Sequence, residues 1–119
     1  MSPLINPDRL LSDFNALSQI GATPAGGVDR SALSPAHLEA RRWFLACAED
    51  AGLETHVDSA GNHSAILRSP TAARPSLLLG SHLDSVPNGG RYDGALGILA
   101  ALEVLRTVKE SGLTLPVNL

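Results

Sequence analysis

Ser76-Leu77-Leu78-Leu79-Gly80-Ser81-His82-Leu83-Asp84-Ser85-Val86-Pro87, followed by Asn88-Gly89-Gly90-Arg91-Tyr92-Asp93-Gly94, is the most informative stretch of the chain. Residues 76–81 form an apolar run of strand length, which predicts a central strand covered on both faces. Residues 82–93 are rich in turn formers and read as a loop. From Gly94 to Ser111 the leucines at 99, 102 and 105 recur at helical spacing, with Lys109 in the last turn and Gly112 just beyond it. Leu115–Leu119 reads as the opening of another strand. Strand, crossover helix and strand make a βαβ unit, so the fold class is α/β. Ligands of such sheets bind beyond the carboxyl ends of the strands, and that is where His82 and Asp84 fall.

Upstream, Asn6-Pro7 and Ser34-Pro35 each pair an N-capping side chain with a proline suited to the first helical turn. They predict a helix ending near Gly21, with Asp8 in its first turn, and a second running to Gly52, with Ala40, Phe44, Cys47 and Ala51 on one face. Trp43 and Cys47, one turn apart, are read as packing residues. Residues 21–33 and 71–75 read as loops. Leu53–Asp58 alternates apolar and polar residues as a half-exposed strand does, Gly61-Asn62 signals a turn, and His63–Arg68 is the returning strand.

The chain has 119 residues, 44% hydrophobic and 18% charged, with 9 Lys plus Arg against 12 Asp plus Glu. This is the composition of one folded domain or part of one, not of a charge-rich disordered chain. A net charge of −3 and 3% aromatic residues offer neither a basic surface for nucleic acid or anionic lipid nor a platform for stacking bases. The single cysteine, Cys47, has no internal disulfide partner, which suits a reducing, cytoplasmic compartment. No apolar run approaches the roughly 18 residues of a membrane span, and the first residues do not read as a signal peptide.

The chemistry is concentrated after the apolar run. His82 leaves the end of the expected strand, and Asp93 stands at the mouth of the next helix. A neutral imidazole is a good zinc ligand, and a carboxylate can bridge two metals. Asp84, two residues from His82, could accept the other ring N–H of that histidine. Taken singly these residues have plainer roles, His82 as a strand-end cap and Asp93 as a helix N-cap. The whole string between an apolar strand and a helix favours the metal. Gly89-Gly90 does not read as a phosphate loop, because no Gly-Lys-Ser/Thr follows and Asp93 would repel phosphate. His37, His56 and His63 are expected at the surface, and Glu103 and Glu110 are expected to be solvated or packed along their helix.

At these residues the sequence resembles the zinc-dependent M20 metallopeptidase superfamily. Within it the match is to the amidase/hydantoinase–carbamoylase branch of N-carbamoyl-L-amino-acid hydrolases, allantoate amidohydrolases and β-ureidopropionases. The resemblance extends over Ile20-Gly21, Gly26-Gly27-Val28, Arg30 and Ser34, then Ala40-Arg41, Phe44, Gly52-Leu53, Asp58–Asn62 and Leu102-Glu103-Val104. It implies the N-terminal portion, residues 1–119, of a three-layer αβα metallohydrolase catalytic domain with an incomplete sheet. His82 would ligate one of two divalent ions, zinc or alternatively manganese or cobalt. Asp93 would bridge both, and Asp84 would act in catalysis by orienting His82. The proton-shuttling Glu-Glu pair, two further histidine ligands and the lid domain that dimerises and contacts the small-molecule substrate would lie outside these residues. The implied reaction is hydrolysis of a C–N bond in N-carbamoyl or ureido compounds, by a longer enzyme of which this piece alone is inactive and prone to associate. Hydrolysis of dipeptides or N-acyl amino acids is the alternative within the superfamily. A non-catalytic α/β domain that retains the loop is the alternative outside it.

Overall fold

In a computed structural model that describes residues 3–71 and 75–119, the element order is α1 (Pro7–Gln19), α2 (Pro35–Asp50), β1 (Glu54–Val57), β2 (His63–Ile66) and α3 (Ala95–Glu110). The expected 71–75 loop falls partly outside the described residues. The helix starts form as the sequence predicts. The Asn6 side chain accepts from the Arg9 N–H at 3.0 Å, and Ser34 Oγ accepts from the His37 N–H at 3.2 Å. β1 and β2 pair antiparallel, with Glu54 opposite Ile66 and Val57 opposite His63. Asp58 closes their turn by accepting from the Ala60 and Asn62 N–H groups.

One hydrophobic cluster holds the elements together. Phe14 and Leu17 of α1, Phe44 and Ala48 of α2, and Leu99 and Leu102 of α3 are its buried centre, with Ala65, Leu67 and Leu119 packed against it. The inward stripe of α2 is Ala40, Phe44 and Ala48, one position away from the expected Cys47 and Ala51, which are half-buried at its margin. Polar links fasten α1 to α3. The Glu103 carboxylate, 1% exposed, accepts from Arg9 Nε at 2.8 Å and from the Asn6 N–H at 2.8 Å, while Arg106 pairs with Asp13. Glu103 is therefore a packed structural carboxylate, and Glu110, bound by Arg9, is the solvated one.

The parallel crossover is present in minimal form. Ser76 bridges Asn118 in parallel, and α3 lies between them in sequence. Leu67 and Leu119 exchange backbone hydrogen bonds at 3.0 and 3.1 Å, so residues 118–119 lie between β2 and the segment that begins at Ser76. The expected burial of residues 76–81 does not hold. Leu77, Leu78 and Leu79 are 55%, 87% and 45% exposed, and no regular strand forms there beyond the bridge at Ser76. An apolar strand is buried only when neighbours flank both edges and helices cover both faces, and here a single short pairing partners it. α3 nevertheless packs close to the segment: a Cβ at Gly97 would stand 2.8 Å from Ser81 Cβ.

Candidate functional site

The loop carrying His82 and Asp84 is held from far upstream. Arg30, 1% exposed, donates from Nε to the Leu83 carbonyl at 2.9 Å and from its terminal guanidinium nitrogen to the Leu17 and Ile20 carbonyls, each at 3.0 Å. Its own backbone N–H donates to Ser85 Oγ at 2.9 Å, and its carbonyl accepts from the Ser85 N–H at 3.0 Å. Arg30 therefore ties the end of α1 to the residues on either side of Asp84. Burial draws its pKa down from the ordinary arginine value, and three carbonyl acceptors compensate the buried cation. Val28 and Gly89 exchange backbone hydrogen bonds at 3.0 and 2.8 Å, fixing the far end of the same loop. Tyr92 stacks on Phe14 with ring centroids 4.6 Å apart, and the Arg91 guanidinium lies 5.4 Å from the centre of the Phe14 ring.

These anchors bring the three expected site residues together. His82 Nδ1 lies 3.0 Å from the Asp84 carbonyl oxygen and 3.3 Å from Asp84 Oδ1. Both neighbours are acceptors, an arrangement that suits a hydrogen on Nδ1 and would leave the Nε2 lone pair for a metal. Nε2 in turn lies 3.8 Å from Asp93 Oδ2. Two ligands each about 2.0–2.2 Å from one tetrahedral zinc ion stand about 3.4 Å apart. The Asp93 side chain is 75% exposed, so rotation of its carboxylate spans the difference. The donor set, one imidazole nitrogen and one carboxylate, suits a borderline divalent ion. It is only two ligands: among the described residues, no three His, Cys, Asp or Glu side chains converge to hold a metal.

Gly94 is the joint of this arrangement. It caps α3 at φ +68°, and a Cβ there would lie 2.4 Å from the His82 carbonyl oxygen and 2.6 Å from its ring. Only glycine permits both the backbone angle and the approach of the imidazole. Asp93, immediately before this cap, contributes its carbonyl to the Ala95 N–H at 2.7 Å, while no side-chain cap bond is made to α3. Its carboxylate is thus left for another use near the positive end of the helix.

A hollow of about 400 Å³ opens beside His82 and Asp84, lined also by His37, Arg41, Asn62 and His63. The expectation that all three other histidines lie at the surface fails for His37, which is buried. Its Nδ1 accepts from the Leu33 N–H at 2.8 Å, satisfying a turn whose Leu33 has φ 63°. Burial, with Arg41 nearby, pulls its pKa below the usual histidine value, so this acceptor role suits it. His63 is half-buried with Nδ1 2.6 Å from an Arg41 guanidinium nitrogen, while His56 is exposed as expected. Burial pushes the Cys47 thiol up, which makes it a packing residue rather than a nucleophile. Arg30 stands within the Gly-Gly-Val-x-Arg string, where its neighbours in sequence give it no role. Its acceptors lie up to 53 residues away, and no local pattern reveals them.

The chain is similar to several known proteins. Residues 62–119 match Peptidase family M28. Over 111 residues the chain is 40% identical to N-carbamoyl-L-amino-acid amidohydrolase of Rhizobium meliloti, covering 92% of this chain and 26% of that enzyme. It is 35% identical over 105 residues to allantoate deiminase of Arabidopsis thaliana, covering 88% and 20% respectively. Its backbone superposes on a hydantoinase/carbamoylase family amidase from Burkholderia ambifaria with a TM-score of 0.92 and 40% identity, covering 96% of this chain and 28% of that one. The chain thus spans about a quarter of the length of the relatives it matches. Along nine-tenths of its length it is similar in sequence and backbone to the hydantoinase/carbamoylase family of amidases, and it carries that family's fold over the quarter it spans.

Proposed function

We propose that residues 1–119 are the N-terminal portion of the catalytic domain of a divalent-metal-dependent hydrolase that cleaves C–N bonds in N-carbamoyl-L-amino acids or related ureido compounds. The observation that carries the reading is His82, held by Asp84 at Nδ1 and facing Asp93 with Nε2. The enzymes named among the relatives act on N-carbamoyl amino acids and allantoate. His82 Nε2 and Asp93 would hold the metal, and zinc best matches these donors, with manganese or cobalt as substitutes. Bound divalent ions there supply polarisation of the scissile carbonyl and a more acidic water. Asp84 would hold His82 in the tautomer that presents Nε2 to the metal. Arg30 holds the loop so that this orientation is set before substrate arrives. The general base and the remaining ligands would come from sequence outside residues 1–119. A lid domain outside them would supply dimerisation and substrate contacts. The single, half-buried Cys47 supports a cytoplasmic setting, and no helix among the described residues is long and apolar enough to cross a membrane.

The test is a chimera in which residues 1–119 replace the matching quarter of the Rhizobium meliloti relative, assayed with zinc and an N-carbamoyl-L-amino acid. Chelator-sensitive turnover is expected. It should be abolished by His82→Ala or Asp93→Ala and reduced about 10–100-fold by Asp84→Asn. A folded chimera indifferent to His82→Ala would refute the assignment. The match to a peptidase family over residues 62–119 favours one second reading, hydrolysis of dipeptides or N-acyl amino acids. Preference of the same chimera for those substrates would establish it.

A further inference from the structure

We propose that the Tyr92 ring is a positioning residue for Asp93, and that α1 is the common support from which His82 and Asp93 are held close to each other. The inference rests on the reading of these two side chains as metal ligands. The segment that carries Asp93 has little else to hold it. Its fixed point on one side is the Val28–Gly89 backbone pairing, and on the other the Tyr92 and Asp93 carbonyls accept from Leu96 and Ala95 at the start of α3. Among the described residues, no backbone N–H of residues 90–94 donates to a backbone carbonyl. Gly90 has open space where a side chain would stand, so the backbone entering residues 91–93 is free to turn.

Contact with Phe14 supplies the missing restraint. The Tyr92 and Phe14 rings are stacked, 21° from parallel with centroids 4.6 Å apart, a favoured aromatic geometry. The Arg91 guanidinium lies 5.4 Å from the Phe14 centroid and 5.5 Å from that of Tyr92, so both residues before Asp93 rest on one ring. Phe14 is a fixed base, 5% exposed within the hydrophobic cluster. Tyr92 is 57% exposed; such a ring adds little to the core, and its contact serves chiefly to fix the chain that bears it. The same helix holds the other side chain. Leu17, one turn along α1 from Phe14, gives its carbonyl to Arg30, which in turn donates to the Leu83 carbonyl beside His82. His82 Nε2 and Asp93 Oδ2, 3.8 Å apart, are therefore tied to neighbouring turns of α1 by two separate links. A ligand pair held near its bound spacing needs little ordering when the ion arrives. Loss of the Tyr92 ring frees Asp93 alone, because His82 keeps Arg30 and Asp84.

The experiment compares Tyr92→Leu and Tyr92→Phe with the unsubstituted 119-residue chain by NMR, with unchanged α3 amide signals as the check on folding. Without metal, the backbone order parameters of Arg91–Asp93 should fall from about 0.85 to below about 0.6 in Tyr92→Leu, while Leu83 stays rigid. Tyr92→Phe should keep the original values, since the ring and not the hydroxyl makes the contact. Zinc is then titrated and followed at the His82 and Asp93 signals. Affinity should fall about tenfold in Tyr92→Leu and be preserved in Tyr92→Phe. Unchanged order at Asp93, or unchanged zinc affinity, in Tyr92→Leu would overturn the inference, and a lower urea midpoint alongside it would mark the stack as packing alone. Loss of affinity in Tyr92→Phe would overturn it in favour of the hydroxyl. His82→Ala separates the two levels of the argument. Zinc shifts that survive it in full would refute the metal reading and the inference with it, whereas shifts abolished by it but indifferent to Tyr92→Leu would overturn the positioning role alone.

Discussion

Replacing Arg30 by Met keeps most of the aliphatic stem and removes the guanidinium, and its cost follows from three contacts. The side chain donates to the carbonyls of Leu83, Leu17 and Ile20 at 2.9–3.0 Å from a site 1% exposed. Each buried acceptor left without its donor costs about 1–3 kcal/mol. Release from desolvating a cation returns part of that total. The net loss should be about 3–5 kcal/mol, a large share of the about 6–18 kcal/mol available to a chain of this length. Urea unfolding followed by circular dichroism measures it as a lower midpoint at unchanged slope. The backbone pairing of residue 30 with Ser85 does not use the side chain. Amide NMR should therefore show Leu83, Leu17 and Ile20 perturbed and Ser85 nearly still. Accelerated exchange around His82 would show that the loop has lost its upstream anchor. A loss below about 1 kcal/mol with an unshifted Leu83 would refute the claim that Arg30 holds the site loop.

Gly94→Ala should cost about 1–3 kcal/mol from its positive φ alone, and more from the overlap with His82. Its NMR signature is a displaced His82 ring, and retention of wild-type His82 shifts would contradict the joint described above. Burial pushes Glu103 up, but hydrogen bonds from Arg9 and the Asn6 N–H outweigh it and hold the carboxyl below the ordinary glutamate range. A depressed folded-state pKa contributes stability that is complete above the unfolded value, about 4.3, and is lost as pH falls through the folded value. Glu103→Gln should accordingly lower stability at pH 7 and flatten its dependence on pH below about 4; equally steep acid unfolding of the variant would argue against it. Leu33→Gly should raise stability by up to about 1 kcal/mol, since φ 63° on an exposed leucine is strained; a lower urea midpoint would count against that strain. Finally, the 119-residue chain with zinc should hydrolyse N-carbamoyl amino acids only at the background rate, and turnover abolished by a chelator would show that two ligands suffice.

The amino-acid sequence by itself determined what depends on neighbours three or four residues away. Asn6-Pro7 and Ser34-Pro35 start α1 and α2 because the cap and its acceptor N–H lie in one turn, and Asp58 with Gly61-Asn62 closes the hairpin for the same reason. The string from His82 to Gly94 was legible as a candidate site because its histidine, carboxylates and glycines are contiguous. Tertiary structure decided what depends on distant partners. Burial is a property of what lies opposite, so the apolar run Leu77–Leu79 is exposed despite its composition, and His37 is buried despite its polarity. Arg30 takes its role from carbonyls on α1 and on the loop after residue 82, brought together only when the chain has folded. The approach of His82 to both Asp84 and Asp93 likewise exists because Gly94 lets α3 begin against the imidazole. A side chain's local sequence sets its conformational preference; the groups it meets are set by the packing of the whole chain.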